Sequence, residues 1–370
     1  SMSKAAELAA LIGSQTALSN RNLIINGAFN VFQRSTSATG ITSENYYAAD
    51  RFKINMSDAG THTMSQSSTV PAGQGFNNSV KLDCTTADAS VAAGSYISID
   101  HRIEAQNLQR LNWGTSSAKK LTISFWVRSN LTGTFVLEYQ HGETGVYNSN
   151  TYTIDSANTW EKKTITISGY TSTAINDDNG IGLYIFWWLQ AGSTYGSGTT
   201  TNDTWHSTQA NRAGSLSVDF GTSTDNEFYL TGVQLEVGEQ ATPFEHEDFG
   251  TTLAKCQRYY YRIGGVGTYH RYAVGSCQGT SSCGVVIYPP AGEMREVPAL
   301  ETTGTASNYA IYEADGVNAC SSIPALNSVG TNSKHFNITF TSSGNLASGN
   351  AAEVLANNNA DAFLAFQSEL

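Results

Sequence analysis

From Ile181 to Gln190 the chain reads IGLYIFWWLQ, ten residues without a charge. A membrane-spanning helix needs about 20 apolar residues, so this run reads as a buried strand. Side chains alternate along a strand, which puts Leu183, Ile185, Trp187 and Leu189 on one face and Tyr184, Phe186 and Trp188 on the other. Both faces are apolar. Such a strand is central in its sheet, or its second face meets a neighbour.

The same period of two recurs along the chain. Leu121, Ile123, Phe125 and Val127 alternate with Thr122, Ser124, Trp126 and Arg128, and Phe135, Leu137 and Tyr139 follow suit, as do Ile165 and Ile167. Further strands are expected at Asp50 to Met56, Thr61 to Ser67, Val80 to Cys84 and Tyr96 to Ile103, separated by Gly, Asn, Ser and Asp clusters. Near residue 26, Leu23 and Ile25 lead into Asn26-Gly27, a turn signal, so a first strand is expected to end there. Many short strands without intervening helical patterns argue for a sandwich, since parallel α/β folds alternate the two.

Phe228 to Arg262 reads as one unit's last strand, a short helix and the next unit's first strand. Tyr229, Thr231, Val233, Leu235 and Val237 fall on one face and Gly232, Gln234 and Glu236 on the other. Pro243 then opens a segment with acids at Glu245, Glu247 and Asp248, where a helix N-terminus favours negative charge. Phe249, Leu253, Cys256 and Tyr260 follow at helical spacing. Beyond it, strands are expected at Ala273 to Cys277, Val285 to Tyr288, Tyr309 to Tyr312, His335 to Phe340, Glu353 to Ala356 and Ala362 to Gln367. Residues 3 to 18 make a weakly amphipathic helix through Leu8, Leu11, Ile12 and Leu18, either a packing helix or the end of a coiled stem joining identical subunits. The expected protein is therefore all-β. An N-terminal helix or stem spans 1–20, a jelly-roll sandwich 21–245, a linking helix 246–258 and a smaller β-sandwich tip 259–370.

Composition narrows the function. Of 370 residues 14% are charged, with a formal net charge of -11 from 20 basic and 31 acidic residues and no Lys/Arg cluster, which argues against a sequence-independent grip on nucleic acid. The first residues, SMSKAAELAALIG, lack the basic region and apolar run of a secretory signal. Neither a signal nor membrane insertion is expected, and the leading Ser-Met reads as an expression scar. Cys84, Cys256, Cys277, Cys283 and Cys320 are odd in number and lack CxxC spacing, so zinc is not expected. Cys277 and Cys283 either meet across a hairpin or stay as buried thiols.

Two resemblances follow from particular residues. NLIINGAFN resembles the opening of the galactose-binding-like jelly rolls among carbohydrate-binding modules, where an acid commonly follows Asn-Gly-x-Phe and helps to hold a structural calcium. This chain carries Asn30 there, so no cofactor is expected and calcium has no support. From Thr231 onward the chain resembles a junction in bacteriophage tail fibre and receptor-binding proteins. Its core here is Gln234, Leu235, Glu236 and Gly238; Ala241, Thr242, Pro243, Phe244 and Glu245; and Cys256, Gln257, Arg258, Tyr259 and Tyr260. LTISFWV from Leu121, TWEKKT from Thr159, PPAGEMREVP from Pro289 and the closing Glu369-Leu370 agree with it. The resemblance implies a homotrimeric virion component that meets a host cell-surface glycan or other receptor, joined to other tail proteins through its N-terminus and without catalytic residues. Such a chain is made in the host cytoplasm and acts outside the cell. The rivals are a tail-associated polysaccharide depolymerase and a purely structural virion protein.

Several residues are candidates for contact with sugar. Trp205 sits in TNDTWHSTQANR, where stacking on a sugar and burial under a loop fit alike. Tyr269, His270, Arg271 and Tyr272 have the composition of a recognition loop or of a trimer seam. Trp126, Trp160 and Trp187 read as core or inter-sheet packing. Glu245, His246, Glu247 and Asp248 read as dipole compensation at a helix start, and Asn176 to Gly180 as a turn rather than a calcium loop. Neither GxSxG nor HExxH occurs, while carboxylate pairs for glycoside cleavage have no fixed sequence spacing.

Overall fold

The computed structural model describes residues 20–314 and 316–370; the N-terminal helix expected within 1–20 lies outside the described residues apart from Asn20. The chain divides into two compact units, one running up to Thr252 and taking in Leu370, the other spanning Leu253–Glu369. No helix among the described residues is long and apolar enough to cross a membrane.

Twelve strands are found in the described part of the first unit. They are β1 Ser37–Ile41, β2 Phe52–Ser57, β3 Thr61–Ser67, β4 Ser79–Thr86, β5 Tyr96–Glu104, β6 Leu121–Ser129, β7 Gly133–His141, β8 Tyr147–Ile154, β9 Glu161–Ile167, β10 Ile181–Ala191, β11 Trp205–His206 and β12 Glu227–Val237. One sheet runs β1-β3-β4-β12-β6-β9 and the other β11-β8-β7-β10-β5-β2, with every pairing antiparallel. The inward residues of both sheets share one core, in which Met64, Leu82, Phe125 and Leu235 come from the first sheet and Ile54, Ile99, Leu137 and Trp187 from the second. This is an all-β jelly-roll sandwich: alternation puts one side of each strand in the core and the other outside.

β10 lies between β7 and β5, and its second face is covered as well. Phe186 and Trp188 pack with Val136 and Ala213 in a separate cluster. There the Arg212 guanidinium donates to the fully buried Glu138 carboxylate at 2.7 Å and lies over the Tyr147 ring at 4.3 Å. Burial pushes the Glu138 carboxyl up against the pull of Arg212.

β12 corrects the sequence expectation. The register shifts between Thr231 and Gln234, where Gly232 has φ +61°. A bulge inserts an extra residue and reverses which face the following side chains take. Phe228 and Leu230 therefore reach the core before it and Val233 and Leu235 after it, while Tyr229 and Thr231 belong to the outer face. The segment expected as a first strand is also not one. Its Leu23 N–H donates to Leu235 O and its Gly27 O accepts from Val233 N, both at 2.9 Å, and Asn26 at φ 63° turns the chain away. The Asn26 side chain fixes that turn by accepting from the Asn30 and Val31 amides. A Cβ on Gly27 would stand 2.0 Å from Val233 O, so only glycine permits the approach.

The linking helix spans Phe249–Gln257, and so begins six residues after Pro243. Asp248 caps it by accepting from the Thr251 amide at 2.9 Å and the Thr251 hydroxyl at 2.6 Å. Within the intervening residues the Glu245 amide donates to Gln234 Oε1 of β12 at 2.7 Å, and Glu247 accepts from the Thr252 hydroxyl of the helix at 2.9 Å.

The second unit is a smaller sandwich. Its strands are β13 Tyr260–Gly264, β14 Arg271–Cys277, β15 Ser282–Ile287, β16 Ala299–Thr302, β17 Tyr309–Glu313, β18 Gly316–Ala319, β19 Ala325–Leu326, β20 Phe336–Thr341, β21 Ala351–Ala356 and β22 Phe363–Gln367. They form the sheets β13-β22-β16 and β18-β17-β21-β14-β15-β20-β19. Phe336 of the larger sheet stacks on Phe366 of the smaller at 4.4 Å between ring centroids. Cys277 and Cys283 stand opposite each other across β14 and β15 as free thiols, and all five cysteines are buried.

Candidate functional site

The bulge in β12 shapes the outer face of the first sheet. Beside it lies an open groove of about 470 Å³, within the range of small-ligand sites. One wall is a cluster of three rings, with Phe76 4.9 Å from Phe244 and 5.2 Å from His246, and Phe244 5.0 Å from His246. Trp126 lines the groove from β6, half-buried. A Cβ on Gly232 would meet Phe76 Cζ at 2.6 Å and Trp126 Cδ1 at 3.0 Å, so the glycine lets the two rings close on the bulge. Gln74, Thr242 and Lys162 are also among the lining, which holds no carboxylate among the described residues.

The ring wall is held by a hydrogen-bonded clasp built from Gln234, Glu236 and Glu245. Gln234 Nε2 donates to Glu236 Oε2 at 2.9 Å and to Pro243 O at 3.2 Å, while Gln234 Oε1 accepts from the Glu245 amide at 2.7 Å. Glu236 accepts from the Thr242 amide at 3.0 Å and pairs with Arg21 at 3.3 Å. The Glu245 carboxylate accepts from the amides of Asn20, Arg21 and Asn22 at 2.8, 3.0 and 3.1 Å. Glu245 therefore caps the incoming chain instead of a helix dipole. The net effect is to bind the segment carrying Phe244 to the outer face of β12.

Charge on this face is distributed unevenly. Lys81 pairs with Asp83 and Glu227, each at 2.7 Å. Burial alone would lower the Lys81 ammonium, but those two carboxylates carry it above its ordinary value. Burial likewise raises Asp83 against the pull of Lys81. Lys163, on the other face of β9 opposite Phe125, pairs with Glu161 at 2.6 Å. Lys162 is exposed, directly opposite Trp126 in the β6–β9 register, and has no ion pair among the described residues.

The residues singled out in the sequence lie elsewhere. Trp205 is half-buried, donates through Nε1 to Ser168 O at 2.9 Å and packs against Trp113 and Tyr170 at 5.3 and 5.0 Å. In the second unit Tyr269 is 52% exposed, and the exposed Arg271 pairs with Glu353. Tyr272 is 9% exposed, turned inward against Tyr309 at 6.0 Å, with His270 edge-on to it at 5.5 Å. Strand alternation thus sends Arg271 and Tyr272 to opposite faces. Trp187 is in the core, but Trp126 and Trp160 are on the outer face, Trp160 against Tyr229 at 6.2 Å. The signal that would have found Trp126 was its place on one strand face with Thr122, Ser124 and Arg128. Asp178 accepts from the Gly180 amide at 2.8 Å, closing the 176–180 turn. Among the described residues, no three His, Cys, Asp or Glu side chains are grouped to hold a metal.

No protein-family model matches the chain, and no curated protein matches it. Among solved structures it is similar to the enzymatically active domain of bacteriophage CBA120 tailspike protein 4, at 12% identity and TM-score 0.31 over 59% of this chain and 21% of that one. It is also similar to the carbohydrate-binding module TmCBM61 in complex with β-1,4-galactotriose, at 10% identity and TM-score 0.29 over 59% of this chain and 99% of that one. A third is the family 11 carbohydrate-binding module from Clostridium thermocellum in complex with a mixed-linked tetrasaccharide, at 12% and 0.28 over 56% and 98%. At such TM-scores the likenesses carry no argument about what this chain binds. The chain spans about a fifth of the length of the tailspike domain it matches.

Proposed function

We propose that this chain is a non-catalytic receptor-binding component of a bacteriophage tail fibre that adsorbs to a glycan on the host surface. The observation that carries the reading is the open groove in which the Trp126 indole and the Phe76, Phe244 and His246 rings accompany the amide of Gln74 and the hydroxyl of Thr242. Sugars offer weakly apolar ring faces for aromatic contact and hydroxyls for hydrogen bonding. The assignment to phage is supported by the Gln234–Glu245 and Cys256–Tyr260 motifs. In the virion the protein is a homotrimer, attached to other tail proteins through its N-terminus, and three weak sites acting together raise avidity. Among the described residues the groove's lining holds no carboxylate, whereas glycoside hydrolysis ordinarily uses two.

Retention of labelled protein on host cells and on a glycan array tests the reading, with Trp126→Ala expected to reduce retention at least about tenfold, the loss of a stacking contact of roughly 1.4 kcal/mol or more. Equal retention of parent and variant overturns the site. A fall in polymer size on incubation with host polysaccharide overturns the non-catalytic role, and a single-chain mass in light scattering overturns the trimer.

A further inference from the structure

Resting on that reading, we infer that the groove selects an acidic sugar: a hexuronate unit seated on the Trp126 indole with its carboxylate on the Lys162 ammonium. The chain carries a formal net charge of -11, so a groove whose lining among the described residues holds Lys162 and no carboxylate departs from that balance. On the same outer face Lys81 is committed to Asp83 and Glu227, while Lys163 lies on the opposite face of β9, across from Phe125, and pairs with Glu161. Glu236 and Glu245 close by are also committed, to Arg21 and Thr242 and to three backbone amides respectively. Lys162 has no ion pair among the described residues.

The placement fits the ligand's geometry. Trp126 and Lys162 are direct cross-strand partners on the outer face. Their Cβ atoms are then about 4.5–5.5 Å apart, so the flexible lysine stem delivers its charge beside a ring resting on the indole. A hexuronate carries its carboxylate at the edge of just such a ring. The pairing is charge-assisted, so its strength falls as salt screens it.

The test uses the full chain and uronate trimers of galacturonate, mannuronate and guluronate, each beside its methyl ester, which keeps the shape and removes the charge. Binding is followed by calorimetry at low and high salt. At least one acid is expected to bind about tenfold more tightly than its ester at low salt, with the difference shrinking at high salt. Lys162→Gln is expected to bring the affinity for that acid down to that of the ester, and Trp126→Ala to abolish binding of both. Absence of any acid-over-ester preference, or a preference that survives Lys162→Gln, overturns the acidic-sugar assignment. Trp126-dependent retention on cells would in that case still uphold glycan binding, whereas its loss removes both.

Discussion

Gln234 and Glu236, two residues apart on β12, are hydrogen-bonded to each other at 2.9 Å, and both bind the loop that follows their own strand. One side chain supplies an amide that both donates and accepts, and the other a carboxylate that only accepts. Gln234→Ala leaves the Glu245 amide and part of the Glu236 carboxylate without partners. Removing one side of a buried hydrogen bond costs about 1–3 kcal/mol, so denaturant unfolding of the first unit should shift by about 2 kcal/mol. Residues 239–248 should become more susceptible to limited proteolysis, while an unchanged digestion pattern would mean that the clasp does not hold the loop.

Gly232→Ala should destabilise the first unit by about 2–4 kcal/mol, combining a left-handed backbone on a non-glycine residue with forced contact. The added carbon would press on Phe76 and Trp126. Tryptophan emission should shift together with the melting temperature. A variant as stable as the parent would show that the bulge is not required.

Acid should weaken the first unit through its histidines. Burial lowers His62, His101, His141 and His206 from an ordinary 6.5, His101 furthest because it is the most deeply buried, with Arg51 adding repulsion. A depressed folded value means that the stabilisation is present above about pH 6.5 and is lost as pH falls, because the unfolded chain takes up the proton first. Asp100 and Glu138, raised by burial, act in the opposite sense. The contribution of His101 is therefore read as a difference: between pH 7 and 5.5 the parent should lose about 1 kcal/mol more than His101→Gln. Parallel pH profiles would contradict it.

Thiol labelling should be negligible in the native protein. Burial pushes Cys277 up to about 12, helped by its hydrogen bond to Glu313 at 2.9 Å, and Cys320 is likewise pushed up to about 12. The thiolate is the nucleophile, so iodoacetamide near neutral pH should modify none of the five cysteines until the chain is denatured. Rapid labelling of Cys277 under native conditions would contradict its burial.

Much of the fold was legible because alternation is a local property. The two-faced Ile181–Gln190 strand and the separation of two β units could be read directly from side-chain order. What was not legible depends on tertiary partners. The parity reversal at Gly232 is invisible to a period-of-two count, and it misplaced Tyr229 and Thr231. Glu245 reads from sequence as a helix-start acid because nothing local shows that three distant amides compete for it. Trp126 was read as packing because its size outweighed its polar-face neighbours. The groove needed Phe76, Phe244 and Trp126 together, which no sequence spacing could predict.

The order of strands in the first sheet bears on how the protein is made. β12 is the last strand of its unit to be synthesised, yet it lies between β4 and β6. Until it emerges from the ribosome, those two strands have no hydrogen-bonded neighbour between them, and the sandwich cannot close. Unpaired strand edges invite other chains. A nascent chain stalled before Glu227 is therefore sticky by construction, and assembly of this unit waits for nearly its entire length.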